Sequence, residues 1–338
     1  MRKIKFALIG CGRIAQRHAQ HISNFGELTA VCDIVSNRAK ELAEKYNCAH
    51  YSDINDLLKA EKDVDVVSVC TPNGLHAEHT IKALRAGKHV LCEKPMAIKT
   101  EDCKKMIAEA ATADKKLFIV KQNRFNPPIV ALKQAIDENK IGKIFSLQLN
   151  CFWNRRNDYY LDSDWKGKKE MDGGTLFTQF SHFIDLIYWL AGDIKKIYAL
   201  TGNLNHEGII EFEDTGVIVV EFANGALGNI NYTVNSFAKN MEGSITIFGS
   251  KGTVKVGGQY LNTLEYQSFD KYEITNVEEA RPANDYGFYQ GSMSNHDKVY
   301  ENVINVIQNG HNIATSGDEG LKTVEIIERI YQVAGQKN

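Results

Sequence analysis

The 338-residue sequence lacks the features that mark membrane, nucleic-acid-binding and disulfide-stabilised proteins. No apolar run approaches the ~18 residues that a membrane span needs. The formal net charge is -2, and Lys and Arg are scattered rather than clustered, so nucleic acid is not an expected partner. We therefore expect a cytoplasmic protein that binds neither membranes nor nucleic acid.

Patterns for disulfide formation and metal ligation are missing too. The seven cysteines are an odd number without C-x-x-C spacing, so we interpret them as reduced core residues. The histidine pairs His18 with His21 and His76 with His79 have no supporting cluster of acids or cysteines. The sequence therefore predicts no metal site.

The N-terminal stretch has the pattern of a nucleotide-binding strand, turn, helix and strand. Gly10-x-Gly12-x-x-Ala15 follows an apolar run: Gly10 permits the turn, Gly12 admits a pyrophosphate, and Ala15 keeps the helix close to the strand. Asp33 stands ~20 residues downstream, where an acid accepts hydrogen bonds from an adenosine ribose. Ile34 rather than Arg follows it, which favours NAD over NADP. The alternative is an ordinary strand–helix turn.

The order of predicted elements divides the chain into two domains. Strands and helices alternate up to Leu117–Val120, which predicts a doubly wound parallel sheet. After about Gly142 come an alternating strand, a polar insert over 154–170, one apolar helix over Thr175–Ala191 and several β-rich runs typical of an antiparallel sheet. We expect an NAD-binding Rossmann domain over 1–122. Over 123–338 we expect an α+β domain for substrate binding and oligomerisation, with a large, mostly antiparallel open sheet.

Two sequence positions are candidates for proton transfer. Lys94, in Glu93-Lys94-Pro95, follows a predicted strand and emerges at the carboxyl edge of the sheet, where parallel sheets bind ligands. His182 shares a helix face with Thr178, and Asp185 is placed to fix its orientation. The alternatives are a solvated surface lysine and a buried core histidine.

Cationic and aromatic side chains in the polar insert are candidates for binding an anionic substrate. Arg155, Arg156 and Trp165 combine bidentate cations with a stacking ring. A solvated loop is the alternative. Gln122 follows a strand at the sheet edge, where its amide could position a sugar or satisfy backbone groups.

Together these motifs resemble the glucose-fructose oxidoreductase, inositol dehydrogenase and MocA family over nearly the whole chain. The resemblance rests on Gly10-x-Gly12-x-x-Ala15, Thr71-Pro72-Asn73 with His76, Glu93-Lys94-Pro95, and the Gly-rich helix start that leads to His182. It implies an N-terminal Rossmann domain, a C-terminal α/β domain, NAD(P), and oxidation or reduction at a sugar or cyclitol carbon. It also implies that Lys94 and His182 are the catalytic pair and that the Lys94–Pro95 bond is cis.

The motifs and the resemblance assign two sets of binding residues. We expect NAD to be bound by Gly10, Gly12, Arg13, Ile14, Asp33, Thr71, Pro72, Asn73, His76, Glu93, Lys94 and Gln122. We expect the substrate to be bound by Lys94, Arg155, Arg156, Trp165, Thr178, Ser181 and His182.

One departure from the family pattern indicates a branch. Many members carry Asp four residues before the histidine, where this chain has Thr178, and Phe180 replaces a common Gly. The stretches 121–127, 178–182 and 242–246 are more similar to the UDP-N-acetylglucosaminuronate 3-dehydrogenases, which make a 3-keto sugar for surface polysaccharide.

The expected function is therefore NAD-dependent oxidation of the 3-hydroxyl of such a UDP-sugar. The alternatives are a dehydrogenase of inositol or a free sugar and a non-catalytic NAD-binding regulator. A homodimer or homotetramer is expected because the β-rich face needs cover.

Overall fold

The computed structural model describes residues 2–285 and 290–335, and the chain divides into two compact units. The first contains Met1–Val120 and His296–Val324, and the second contains Lys121–Asn295 and Glu325–Asn338. The predicted domains, 1–122 and 123–338, divide the chain once, whereas residues 296–324 return to the first unit. Within that segment, Ser316 pairs with Phe118 of the first sheet. In the part of the chain that the structure describes, no helix is long and apolar enough to cross a membrane.

The first unit is built on a six-stranded parallel sheet with the strand order β3-β2-β1-β4-β5-β6. Its strands are β1 (Lys5–Ile9), β2 (Glu27–Cys32), β3 (Ala49–Tyr51), β4 (Val66–Val69), β5 (His89–Cys92) and β6 (Leu117–Ile119). Its first helices are α1 (Arg13–Phe25), α2 (Ser36–Tyr46), α3 (Ile54–Ala60), α4 (His76–Arg85) and α5 (Thr100–Thr112). The central strands are buried along nearly their whole length, as a parallel sheet covered on both faces requires.

The second unit is built on a seven-stranded sheet with the order β13-β12-β11-β7-β10-β9-β8. Its helices are α6 (Pro127–Asp137), α7 (Asn157–Leu161), α8 (Thr175–Thr178) and α9 (Ser181–Ala191). Its strands are β7 (Ile144–Phe152), β8 (Ile194–Gly202), β9 (Thr215–Phe222), β10 (Leu227–Thr233), β11 (Glu242–Gly249), β12 (Gly252–Gly257) and β13 (Thr263–Phe269), followed by the hairpin β14 (Ala283–Asp285) and β15 (Gln290–Met293). Neighbours in the seven-stranded sheet pair antiparallel except β7 and β10, so the expected mostly antiparallel sheet is confirmed. Two further helices follow, α10 (His296–Asn309) and α11 (Gly317–Gly335).

The single helix predicted over Thr175–Ala191 is wrong, because the chain breaks between α8 and α9. Gln179 and Phe180 both donate their backbone N–H to the carbonyl of Thr175. The break turns both of their side chains inward: Gln179 binds Arg155, and Phe180 packs on Trp153 and Tyr232. His182 therefore lies in the first turn of α9 rather than in the middle of a continuous helix.

Candidate active site

The glycine turn between β1 and α1 has the geometry that a dinucleotide requires. Gly10 has φ +90°, and a Cβ there would stand 2.7 Å from the backbone carbonyl of Cys70. At Gly12, by contrast, a Cβ would meet no described atom within 4 Å beyond its chain neighbours, so the backbone lies open to a ligand. Among the described residues, no side chain caps α1. The first N–H groups of this helix are therefore oriented for phosphate.

Asp33 follows β2 and holds the neighbouring loops with both carboxylate oxygens. Oδ2 accepts the N–H of Cys11 at 2.7 Å, and Oδ1 accepts the N–H of Val35 at 2.8 Å. Each oxygen has a second lone pair for a ribose hydroxyl. Ile34 beside it is 89% exposed and offers an apolar surface where a base can stack. Gly10, Gly12, Asp33 and Ile34 thus fit an unphosphorylated adenosine dinucleotide.

His76 joins the two loops that follow β4 and β5. Its Nδ1 lies 2.7 Å from the carbonyl oxygen of Pro95, and its Nε2 lies 2.8 Å from that of Thr71. Burial lowers the pKa of His76, and the two carbonyls act against that shift. The ring therefore ties the Thr71-Pro72-Asn73 segment to the Glu93-Lys94-Pro95 segment, where the Lys94–Pro95 peptide is cis.

Glu93 is buried directly before Lys94. Its Oε1 lies 2.8 Å from Nε2 of His18 and 3.4 Å from Nε2 of His296, and its Oε2 accepts the N–H of Lys94 at 3.0 Å. The side chains of His18, Glu93 and His296 form the one grouping of possible metal ligands found in the described residues. The Lys94 residue is half-buried at the end of β5.

In the second unit, His182 is held by an amide from a short 3₁₀ turn, Gln122–Phe125. Nε2 of Gln122 lies 3.1 Å from Nε2 of His182 and 3.0 Å from Oγ of Ser292. An amide nitrogen can only donate, so Nε2 of the histidine accepts, and the neutral ring carries its proton on Nδ1. His182 is 2% exposed. The sequence predicts that Gln122 binds the cofactor, and its described contacts are with His182 and Ser292.

Asp185 binds two cations. Its Oδ1 lies 2.8 Å from Nζ of Lys121, and both of its oxygens are paired with the guanidinium of Arg124 at 2.7 and 2.8 Å. All three side chains are at most 4% exposed. The sequence predicts that Asp185 orients His182, whereas the contacts described for its carboxylate are those with Lys121 and Arg124. This clamp fixes α9 to the turn that carries Gln122.

The proposed substrate-binding residues of the polar insert have different environments. Arg155 is 3% exposed; its Nε donates to Gln179, and its guanidinium lies 5.0 Å from the centre of the Trp153 ring. Arg156 is exposed and pairs with Asp158 at 3.2 Å. Trp165 is half-buried.

Thr178 and Ser181 flank the break between α8 and α9. The Thr178 hydroxyl donates to the carboxylate and the carbonyl of Asp172. An acidic side chain therefore contacts position 178, although it comes from six residues earlier in the chain. Within the described part of the chain, Ser181 Oγ, Gln122 Oε1 and both amide atoms of Asn123 are buried without a hydrogen-bond partner. Each buried polar group that lacks a hydrogen-bond partner costs the folded state about 1–3 kcal/mol.

Two family profiles match nearly all of the sequence. The NAD-binding Rossmann fold of the GFO/IDH/MocA oxidoreductase family matches residues 4–121, and the C-terminal alpha/beta domain of the same family matches residues 133–338. The chain belongs to this family. It is an NAD-dependent oxidoreductase of a family of sugar dehydrogenases, as the resemblance implied, and the NAD predicted from Asp33 is its cofactor.

Inositol dehydrogenases are among the curated relatives, and WlbA dehydrogenases are among the similar solved structures. A myo-inositol 2-dehydrogenase of Thermotoga maritima is 30% identical over 74% of this chain and 74% of its own length. An inositol 2-dehydrogenase of Rhizobium meliloti is 25% identical over 99% of this chain and 98% of its own length. Among solved structures, the WlbA dehydrogenases of Chromobacterium violaceum and Bordetella pertussis, each in complex with NADH and UDP-GlcNAcA, are 38% and 36% identical, both with a TM-score of 0.90. They cover 99% and 98% of this chain, and this chain covers 94% and 96% of theirs.

Proposed function

We propose that this protein oxidises the 3-hydroxyl of UDP-N-acetyl-2-amino-2-deoxyglucuronate to the 3-keto sugar with NAD, as a step in surface polysaccharide biosynthesis. The observation that carries the proposal is the whole-chain similarity to the two WlbA dehydrogenases, whose structures hold NADH and UDP-GlcNAcA. Their identities of 38% and 36% exceed the 25–30% of the inositol dehydrogenases.

A second candidate is NAD-dependent oxidation of inositol or a free sugar. The two inositol dehydrogenase relatives favour it, and it would use the same Rossmann residues and the same Lys94 and His182. The two candidates differ only in the substrate, so a comparison of substrates separates them.

The proposed chemistry assigns proton transfer to Lys94 and His182. Oxidation of a secondary alcohol removes a proton from oxygen and a hydride from carbon, and bound NAD supplies the hydride acceptor. We assign the proton to Nζ of Lys94 and its relay to Nε2 of His182, the ring nitrogen that carries the lone pair, from which the Gln122 amide withdraws in the relay step. The Gln122 amide and the Asp185 clamp support this role because they fix the ring and its helix.

Two single substitutions test the assignment. We expect Lys94→Ala and His182→Ala each to lower kcat about 10²–10⁴-fold, the range that general acid–base groups supply. The matched controls are Lys104→Ala and His311→Ala at exposed positions, which should stay within twofold of wild type. Turnover of both site variants near the wild-type value would refute the assignment.

We further propose that the protein is a homo-oligomer that covers the outer face of its seven-stranded sheet. Tyr198 and Leu200 of β8 lie opposite Val219 and Val217 of β9, and the four residues are 50–81% exposed. Such a contiguous apolar patch is typical of a subunit interface. Leu200→Glu should shift the sedimenting species to a smaller mass, whereas Lys195→Glu at an exposed position should not. An unchanged mass for Leu200→Glu would contradict the proposed interface.

A further inference from the structure

A buried chain of hydrogen-bonding groups in the first unit ends at the residue before Lys94. The Ser68 hydroxyl lies 3.1 Å from the Tyr300 hydroxyl, which lies 2.7 Å from Nδ1 of His18. Nε2 of His18 then contacts Oε1 of Glu93 at 2.8 Å. Ser68, Tyr300 and His18 are fully buried, and Glu93 is 6% exposed. Side chains from β4, α10 and α1 thus converge on one carboxylate.

The direction of each hydrogen bond follows from its acceptors. A carboxylate only accepts, so Nε2 of His18 donates to Glu93. With Nε2 as the donor to Glu93, Nδ1 is the acceptor of the ring, and the Tyr300 hydroxyl donates to it. Burial raises the pKa of Tyr300 well above its usual range, so this hydroxyl keeps its proton. Ser68 completes the chain by donating to the Tyr300 oxygen.

A second histidine of the cluster lies close to the same carboxylate oxygen. Nε2 of His296 lies 3.4 Å from Oε1 of Glu93, and the ring of His21 stacks on His296 with centroids 6.3 Å apart. Burial lowers the pKa of His21 to about 4 and also lowers that of His296. Burial acts to raise the pKa of Glu93, but contacts with His18 and His296 hold it well below its usual range. The centre of the cluster is therefore an ionised carboxylate.

The other carboxylate oxygen faces the Lys94 backbone. Oε2 accepts the Lys94 N–H at 3.0 Å, at the point where β5 has ended and the sheet no longer supplies an acceptor. We propose that Glu93 is a positioning residue for Lys94, held by the buried His18–Tyr300–Ser68 chain so that the lysine leaves the sheet edge in one fixed direction. This rests on the proposed function, in which Lys94 exchanges the substrate proton. The sequence assigns Glu93 to the NAD-binding residues, but its described hydrogen bonds reach neither the glycine turn nor Asp33, so its loss should act on kcat rather than on cofactor affinity.

The test is a double-mutant cycle on full-length protein, with kcat and the Kd for NADH measured for each variant. We expect Glu93→Ala to lower kcat about 30-fold or more and to change the NADH Kd less than threefold. Glu93→Gln should lower kcat less, because its one amide oxygen can still accept the Lys94 N–H although the contact with His18 is lost. In a Lys94→Ala background, either change at Glu93 should alter the residual kcat less than threefold, because the effects of mutating residues that act as a unit do not add. Glu101→Gln, at an exposed carboxylate, is the control.

Each contrary result has a distinct meaning. Equal fold-losses from the Glu93 changes with and without Lys94 would overturn the positioning role and leave the proposed function intact. A Lys94→Ala variant that retains wild-type turnover would instead refute the catalytic assignment on which the inference rests. If Glu93→Ala does not fold, as judged by circular dichroism, Glu93→Gln alone decides between additivity and non-additivity. One tightly bound zinc ion per chain, lost in His18→Ala, would make the cluster a metal centre and overturn the hydrogen-bonded arrangement.

Discussion

Replacing Asp185 with Asn should destabilise the second unit strongly. In the native chain, this carboxylate neutralises Lys121 and Arg124, whose side chains are 3% and 4% exposed. Asn has the same shape but no charge, so the variant leaves two buried cations without a counter-ion. Breaking a buried ion pair in this way costs about 3–5 kcal/mol. At about 2–4 °C per kcal/mol for a unit of this size, Tm should fall by roughly 6–20 °C.

The same residue predicts a specific acid dependence. Burial acts to raise the pKa of Asp185, but Lys121 and Arg124 hold it well below its usual range. A carboxyl group whose folded-state pKa is depressed stabilises the fold fully above its unfolded pKa, ~3.9, and loses that contribution as pH falls towards the folded pKa. Wild type should therefore lose stability below about pH 4 more steeply than Asp185→Asn does.

Thermal unfolding followed by circular dichroism measures both effects. Asp137→Asn is the matched control, because its carboxylate pairs with Lys133 but is 58% exposed. An exposed pair contributes about 0–1 kcal/mol, so the control should lie within a few degrees of wild type. If Asp185→Asn unfolds within 2 °C of wild type at pH 7, the buried clamp does not stabilise α9 as argued.

Two further predictions concern the cofactor turn and a buried carboxyl group. Gly10→Ala should weaken NADH binding at least about tenfold in a fluorescence titration, because the added Cβ would meet the Cys70 carbonyl at a residue with φ +90°. The control is Gly87→Ala, which has φ +76° but open space around the added Cβ and should leave NADH affinity unchanged. Equal NADH affinities of the two variants would contradict the steric argument. Burial raises the pKa of Glu213 to about 7 from an unfolded ~4.5. The folded state then binds the extra proton, so stability falls as pH rises from about 4.5 through 7, by up to ~3 kcal/mol. Glu213→Gln should lack this decline in chemical denaturation between pH 5 and 8, and a parallel decline in both proteins would refute it.

Much of the fold could be predicted because local patterns decide it. The apolar runs His89–Cys92 and Ile194–Gly202 predict strands, and the periodicity over Ser36–Tyr46 predicts a helix. Strands β5 and β8 and helix α2 have these bounds. The break after α8 could not be predicted, since the inward placement of Gln179 and Phe180 depends on Arg155 and on aromatic residues elsewhere in the chain. The parallel pairing of β7 with β10 could not be predicted from local sequence patterns either, because it joins strands about 80 residues apart.

In the candidate site too, local motifs could be predicted from the sequence, whereas contacts between distant residues could not. The cofactor turn and Asp33 are specified within ~20 residues by spacing alone. The groups that hold the candidate catalytic side chains were missed: the Asp185 clamp joins residues 61 positions apart, and the contact between His18 and Tyr300 spans 282. No local periodicity records such contacts, although a charged residue within an apolar helix, such as Asp185, is a signal that a buried partner exists.

The central claim is the oxidation of a UDP-sugar uronate. The most direct measurement is nicotinamide reduction by purified protein with NAD, comparing UDP-N-acetylglucosaminuronate with UDP-N-acetylglucosamine, myo-inositol and glucose. The account predicts reduction with the uronate at a kcat/KM far above that for the other three, and its loss in Lys94→Ala. Efficient turnover of myo-inositol or glucose, with none of the uronate, would contradict the proposed substrate.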